Sequence, residues 1–283
     1  MTTAVTLDVY SGRTNPTWQL TPKQEKELND RMSSLKLQTH QRPSGAVGGL
    51  GYRGFKLTSH DSTFAATGLL RVHEGIVDRG VSQANLVDNT EMEKFILGTF
   101  TGKFSDEVTS HVQARLVAAS NFGLDTSVAG CPACAAADAP AYNPGAWNNP
   151  AVQPHNNCYN YANDNPTNTF AQPGRAHGVS IATMDCAHVQ PGAIADGLVR
   201  SPNFSAPLKK GAGWYVALVI WPGADYHWYR QDDVGCWSHK PGQTAVRNVD
   251  NSGKTISDPK SCDRGPYTIF CDYMISRRGL TIS

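Results

Sequence analysis

Apolar and polar positions follow three successive regimes along the chain. Residues 5–10 (Val-Thr-Leu-Asp-Val-Tyr) alternate with period two, the mark of a half-buried strand, and residues 11–17 supply a Gly/Asn/Pro turn. Thr21 followed by Pro22 opens a capped helix running to Leu35, with Leu28, Met32 and Leu35 on one face. Residues 48–57 and 65–72 read as further strands. Residues 89–97 read as a helix with Glu91 and Glu93 in the first turn, where the dipole favours acids, and residues 106–118 as another. Short strands mixed with helices predict a small α+β domain over residues 1–120.

Residues 121–154 break the pattern. Pro132, Pro140, Pro144, Pro150 and Pro154, spaced by Ala and Asn, predict a linker without regular structure. From residue 155 the pattern resumes. A helix begins at Asn157-Cys158-Tyr159-Asn160-Tyr161-Ala162, and strands follow at 213–221, 226–230, 235–239 and 267–274. A helix followed by antiparallel strands predicts a helix laid on one sheet face over residues 155–283, so the fold class expected for the whole chain is α+β. No internal repeat or low-complexity tract is present.

Charge narrows the function classes. Lys plus Arg number 25 against 24 Asp plus Glu, a net charge of +1, with no basic stretch, so no nucleic-acid partner is expected. The longest apolar run, residues 214–221, suits a buried strand and is far too short for a membrane span. Residues 1–5 carry no secretion signal, so the expectation is a soluble protein, cytoplasmic or exported by another route. The 26 Gly and 17 Pro predict many turns.

Seven cysteines leave at least one thiol unpaired within a single chain. Cys262 and Cys271 flank a short loop and are expected to be able to bridge. Cys131-Pro-Ala-Cys134 has the spacing of a redox dithiol or zinc knuckle, but it lacks the flanking context, so a bridge or loose thiols are expected. Cys186, His188 and Asp185 fit no common zinc spacing, and no metal or cofactor is expected. Trp214, Trp221, Trp228 and Trp237 read as core or pocket wall, and the Asn-rich run 156–168 as a capping and turn network.

Cys158 is the cysteine placed for chemistry. It starts a helix after Asn156 and Asn157, where unpaired N–H groups favour a thiolate and its own N–H is placed to hold an oxyanion. A base on a rigid strand is then needed, and His227 lies in Asp225-Tyr226-His227-Trp228-Tyr229-Arg230. One hairpin later, around Asp232-Asp233, comes His239, positioned to orient the first ring, with Asp225, Asp232 and Asp233 as competitors for that role.

This order of Cys158 at a helix start, His227 on a strand and His239 one hairpin later resembles the NlpC-like branch of the papain-like cysteine peptidases. The Asn157–Ala162 stretch is also similar to the nucleophile segment of CHAP amidases. The resemblance spans residues 155–283 and implies a papain-like domain whose catalytic residues are Cys158, His227 and His239. It implies a cysteine peptidase or amidase, or a transpeptidase, acting through a thioester on a cell-wall peptide or protein, with no cofactor. The chain departs from that family in having Tyr226 where a Gly usually precedes the base. A second resemblance runs through Cys158–Ala162, Thr167–Gly174, Tyr226-His227 and Trp237–Gly242. It is to sequences called insoluble matrix shell proteins, and implies the alternative: a non-catalytic matrix or binding protein that keeps the same frame.

Overall fold

The computed structural model describes residues 3–37, 49–59, 69–79, 86–87, 90–118, 131 and 136–283. The chain forms two compact units. One comprises Met1–Val9, Asn15–Val47 and Tyr52–Phe122, the other Tyr10–Thr14, Gly48–Gly51 and Gly123–Ser283. Two short segments from the first 120 residues therefore belong to the second unit. The fold class is α+β, with helices and two antiparallel sheets.

In the first unit the chain order is β1 (Ala4–Leu7), β2 (Thr17–Gln19), α1 (Pro22–Ser34), β3 (Lys36–Leu37), β4 (Phe55–Thr58), β5 (Leu69–His73), β6 (Ile76–Asp78), β7 (Leu86–Val87), α2 (Glu91–Gly98) and α3 (Asp106–Ala118). The seven strands form one sheet in the order β2-β1-β4-β5-β6-β7-β3. Registered partners Leu7 and Phe55, Phe55 and Val72, and Val72 and Val77 share one buried face. Leu28, Met92, Ile96, Val108 and Val112 of the helices are buried as well. Helix α1 starts as expected: Thr21 and Gln24 form a reciprocal capping box, and Pro22 occupies the first turn. Glu74 and Gly75 both take positive φ, as a tight hairpin between β5 and β6 requires, and the buried Glu93 carboxylate accepts both turn N–H groups (3.0 and 2.8 Å).

In the second unit come α4 (Pro144–Trp147), α5 (Cys158–Ala162), α6 (Cys186–Ala195), β8 (Val199–Ser201), β9 (Trp214–Trp221), β10 (Asp225–Gln231), β11 (Trp237–His239) and β12 (Ile269–Ser276). The strands form a five-stranded sheet in the order β11-β10-β9-β12-β8, antiparallel throughout. Every residue of β9 is buried, which follows when both faces of a strand are covered. One face carries Val216, Leu218, Ile220, Tyr226 and Trp228, packed with Cys158, Tyr159 and Ala162 of α5 and with Val189 and Ala193 of α6. The helix-on-sheet layer expected from the sequence is thus present.

Several expectations need correction. Of the strand expected over 48–57, the described residues 49–54 lie outside any strand and 55–57 fall in β4. That expected over 65–72 meets β5 at 69–72, its residues 65–68 lying outside the described set. The span 121–154 is not all loop: α4 and a 3-10 turn at Gln153–His155 form, and Trp147 packs edge-on to Tyr161 at 5.0 Å. Cys271 bridges Cys186 rather than Cys262, because a bulge between Phe270 and Asp272 turns it toward α6. Cys131 bridges Cys236, and Cys134 lies outside the described residues.

Candidate functional site

Asn157 fixes the start of α5. Its side-chain oxygen accepts from Tyr159 N (3.0 Å) and Asn160 N (3.1 Å), while the Asn160 oxygen accepts from Asn157 N (3.2 Å) and Ala171 N (3.0 Å). Asn156 and Asn168 join their side chains at 2.6 Å, so the Asn-rich run is the capping network expected of it. The Cys158 thiol is fully buried at the head of this helix. Its pKa is raised well above that of an ordinary thiol, first by burial and then by the nearby Asp225 carboxylate. The main-chain N–H of Trp228 and the Lys240 charge pull the other way without reversing the shift. Lys240 itself is buried and donates to the carbonyls of Gln153 (2.6 Å), Asn156 (2.7 Å) and Gly242 (2.7 Å), bracing the loop that enters α5.

The two candidate histidines meet. His227 Nε2 lies 2.9 Å from His239 Nδ1, and His239 Nε2 lies 3.1 Å from the Val249 carbonyl. A carbonyl only accepts, so His239 Nε2 carries a proton and its Nδ1 a lone pair when neutral. His227 Nε2 then donates to it, which leaves the lone pair of His227 on Nδ1. Tyr229 stacks on His239 (4.9 Å) and meets His227 edge-on (4.8 Å), holding both rings in the buried interior. The hairpin register opposes His239 to Tyr229 rather than to His227, so the histidines pair diagonally across it.

The structure thus brings His227 to His239 and the Cys158 sulfur to the N–H of Trp228. Cys158 packs with the Tyr226 and Trp228 side chains on one face of β10, while strand alternation turns His227 and Tyr229 to the other. Two of the carboxylate competitors for the orienting role have other partners. Asp232 accepts from Arg230 (3.1 Å). Asp225 accepts from Ser11 N (2.5 Å), Gly12 N (3.1 Å), Arg13 N (3.0 Å) and Tyr267 Oη (2.6 Å). Its pKa is nevertheless raised, because burial outweighs these donors.

The turn Ser11-Gly12-Arg13 was legible in the sequence, but its role was not. The Gly12 carbonyl accepts from Asn157 Nδ2 (2.9 Å) and Gln172 Nε2 (2.9 Å), with Tyr226 Oη at 3.2 Å. The loop is therefore seated on the residue before Cys158 and on Asp225 and Tyr226, both of which interact electrostatically with the thiol. Gly12 is required there, since a Cβ would lie 2.4 Å from the Tyr226 ring. A second unforeseen group is His177, whose Nδ1 lies 2.8 Å from Asp196, a buried carboxylate also bound by Tyr159 Oη (2.7 Å) and Gly174 N (2.7 Å). Asp185 and His188 make a local helix cap, and Cys186 is in a bridge.

The second unit is therefore a helix-on-antiparallel-sheet module, tied by two disulfides, with Cys158 and the His227–His239 pair buried in its interior. No protein-family model matches the chain, and no solved structure matches it. Insoluble matrix shell protein 1 of Ruditapes philippinarum is 46% identical to it over 135 residues, covering 47% of this chain and 87% of that protein. The chain belongs to the family of that protein.

Proposed function

We propose that the chain is a non-catalytic matrix or binding protein that keeps a papain-like frame, with its thiol closed off from solvent. The observation that carries this reading is Cys158 itself: no exposed surface and a pKa displaced upward, in a site where only a thiolate is a nucleophile. The name of its relative, which describes an insoluble matrix component, supports the same reading. The two long-range disulfides suit a protein working in an oxidising setting.

A cysteine hydrolase is the second reading, and the hydrogen-bonded His227–His239 pair favours it. In that reading Cys158 attacks an amide carbonyl of a peptide and His227 takes, then returns, the proton. His239 orients His227, and N–H groups at the start of α5 hold the oxyanion. Alkylation of the native protein by iodoacetamide, mapped by peptide, separates the two. The matrix reading expects Cys158 to label far more slowly than in the urea-unfolded chain at about pH 7. Selective Cys158 labelling at or below that pH, abolished in His227→Ala, would replace it with the hydrolase.

A further inference from the structure

The second unit carries an open groove of about 670 Å³ whose lining, among the described residues, includes Arg13 and Arg175 and no Asp or Glu. Both guanidiniums are pre-positioned. Arg13 donates through Nη1 to the Ala224 carbonyl (2.5 Å) and lies 5.0 Å from the Tyr10 ring centroid. Arg175 donates through Nη2 to the Thr169 carbonyl (2.8 Å). A guanidinium has five N–H donors, so each retains donors for a ligand, in a fork that fits a carboxylate. Arg175 is exposed and Arg13 half-buried, which suits recognition at a surface.

One wall of the groove is a stretch of main chain. Residues 179–182 run between the 3-10 turn Arg175–His177 and α6 without helix or strand. The stretch is pinned before and after: Val179 N bonds Gly174 O (2.9 Å) and Gly223 N bonds Met184 O (3.2 Å). Between these points, among the described residues, no main-chain hydrogen bond engages Ser180, Ile181 or Ala182. Val179, Ile181 and Met184 add apolar lining. Cations, open main-chain groups and apolar surface together match a peptide better than a polysaccharide, which offers no amide ladder.

We propose that this groove binds an extended acidic peptide, its carboxylates on Arg13 and Arg175 and its main chain along Ser180–Ala182. The proposal deepens the binding reading above by naming the partner's chemistry, and rests on it only in treating the peptide as held rather than cut.

The test is fluorescence anisotropy of a labelled alternating Glu-Val peptide titrated with the full chain, with mass spectrometry of the peptide afterwards. Saturable binding is expected, about tenfold weaker for the Gln-Val counterpart and about five- to tenfold weaker with Arg175→Gln, whose exposed side chain leaves the fold intact. Methylating alternate peptide nitrogens is expected to weaken binding as well. Equal binding of the Gln-Val peptide, or no effect of Arg175→Gln, overturns the proposal. So does full displacement by dextran sulfate combined with indifference to N-methylation. A peptide that binds in this pattern but is recovered cleaved supports the groove and overturns the non-catalytic reading instead.

Discussion

Gly12 and Cys158 lie far apart in sequence and share a neighbour in Tyr226. Tyr226 Oη reaches the Gly12 carbonyl, its ring leaves no room for a Cβ at Gly12, and its titration is raised in part by the Cys158 charge. Three N–H groups on Asp225 and two side-chain amides on the Gly12 carbonyl then hold the Ser11–Arg13 loop against the site. If this loop is what closes the thiol off, Gly12→Ala must loosen it, because an alanine methyl at 2.4 Å from a buried ring forces one of the two to move. The expected outcome is faster alkylation of Cys158 than in the parent protein, by about tenfold or more, with Cys262 as internal reference. An unchanged Cys158 rate in a variant whose circular dichroism matches the parent would mean that the loop does not close the thiol off.

At the level of elements, the disulfides test how the sheet holds its helix. Cys186 is the first residue of α6 and Cys271 occupies the β12 bulge, so their bond ties that helix to a strand 85 residues away in sequence. Closing so long a loop in the unfolded chain stabilises the fold by about 2–5 kcal/mol. The double variant Cys186→Ser/Cys271→Ser is therefore expected to lower the calorimetric Tm by about 5–15 °C. A Tm within a degree or two of the parent would show α6 to be held by packing alone. The same elements show where sequence reading works. Strands β9 and β10 were legible because eight apolar residues and then an alternating run leave little choice, and α5 because Asn157 caps it. Helix α6 was hidden by Pro191 in its interior. Strands β2, β3 and β6–β8 have only two or three residues, too few to display a period. The His227–His239 contact was legible from one hairpin's length. The seat of the Ser11–Arg13 loop on Asp225 was not, since a contact 214 residues apart leaves no local trace. Neither was the partner of Cys271, because a bulge shifts which way a side chain points.

For the whole molecule, the buried histidines of the first unit and the buried aspartates of the second respond to acid with opposite sign. In the first unit the pKa of His73 is pushed down to about 3 by burial and then by Arg71 and Arg115, and that of His111 to about 4 by burial and Arg115. His111 Nε2 accepts from Tyr52 N (3.2 Å), a role that only an unprotonated nitrogen can fill. Both folded values lie below 6.5, the ordinary value, so the unfolded chain takes up these protons first. Their contribution is complete above pH 6.5 and is lost as the pH falls toward 4 and then 3. At about pH 4.5 the loss is up to about 2–3 kcal/mol per histidine, less for His111, which is not fully shielded from solvent. In the second unit Asp232 is pushed up to about 6 by burial, against its Arg230 partner, and Asp225 is raised as well. A raised carboxyl has the reverse sign: between about 3.8 and 6 the folded state holds the proton more tightly, so stability grows as pH falls. Urea unfolding followed by hydrogen exchange at about pH 7 and about pH 4.5, corrected for intrinsic rates, is expected to show β4 and β5 opening at lower urea in acid. Strand β9 is expected to hold its midpoint or raise it. Parallel losses in β4 and β9 would mean that titration elsewhere outweighs the buried histidines, and an unchanged β4 would mean that His73 and His111 are not held neutral by the fold.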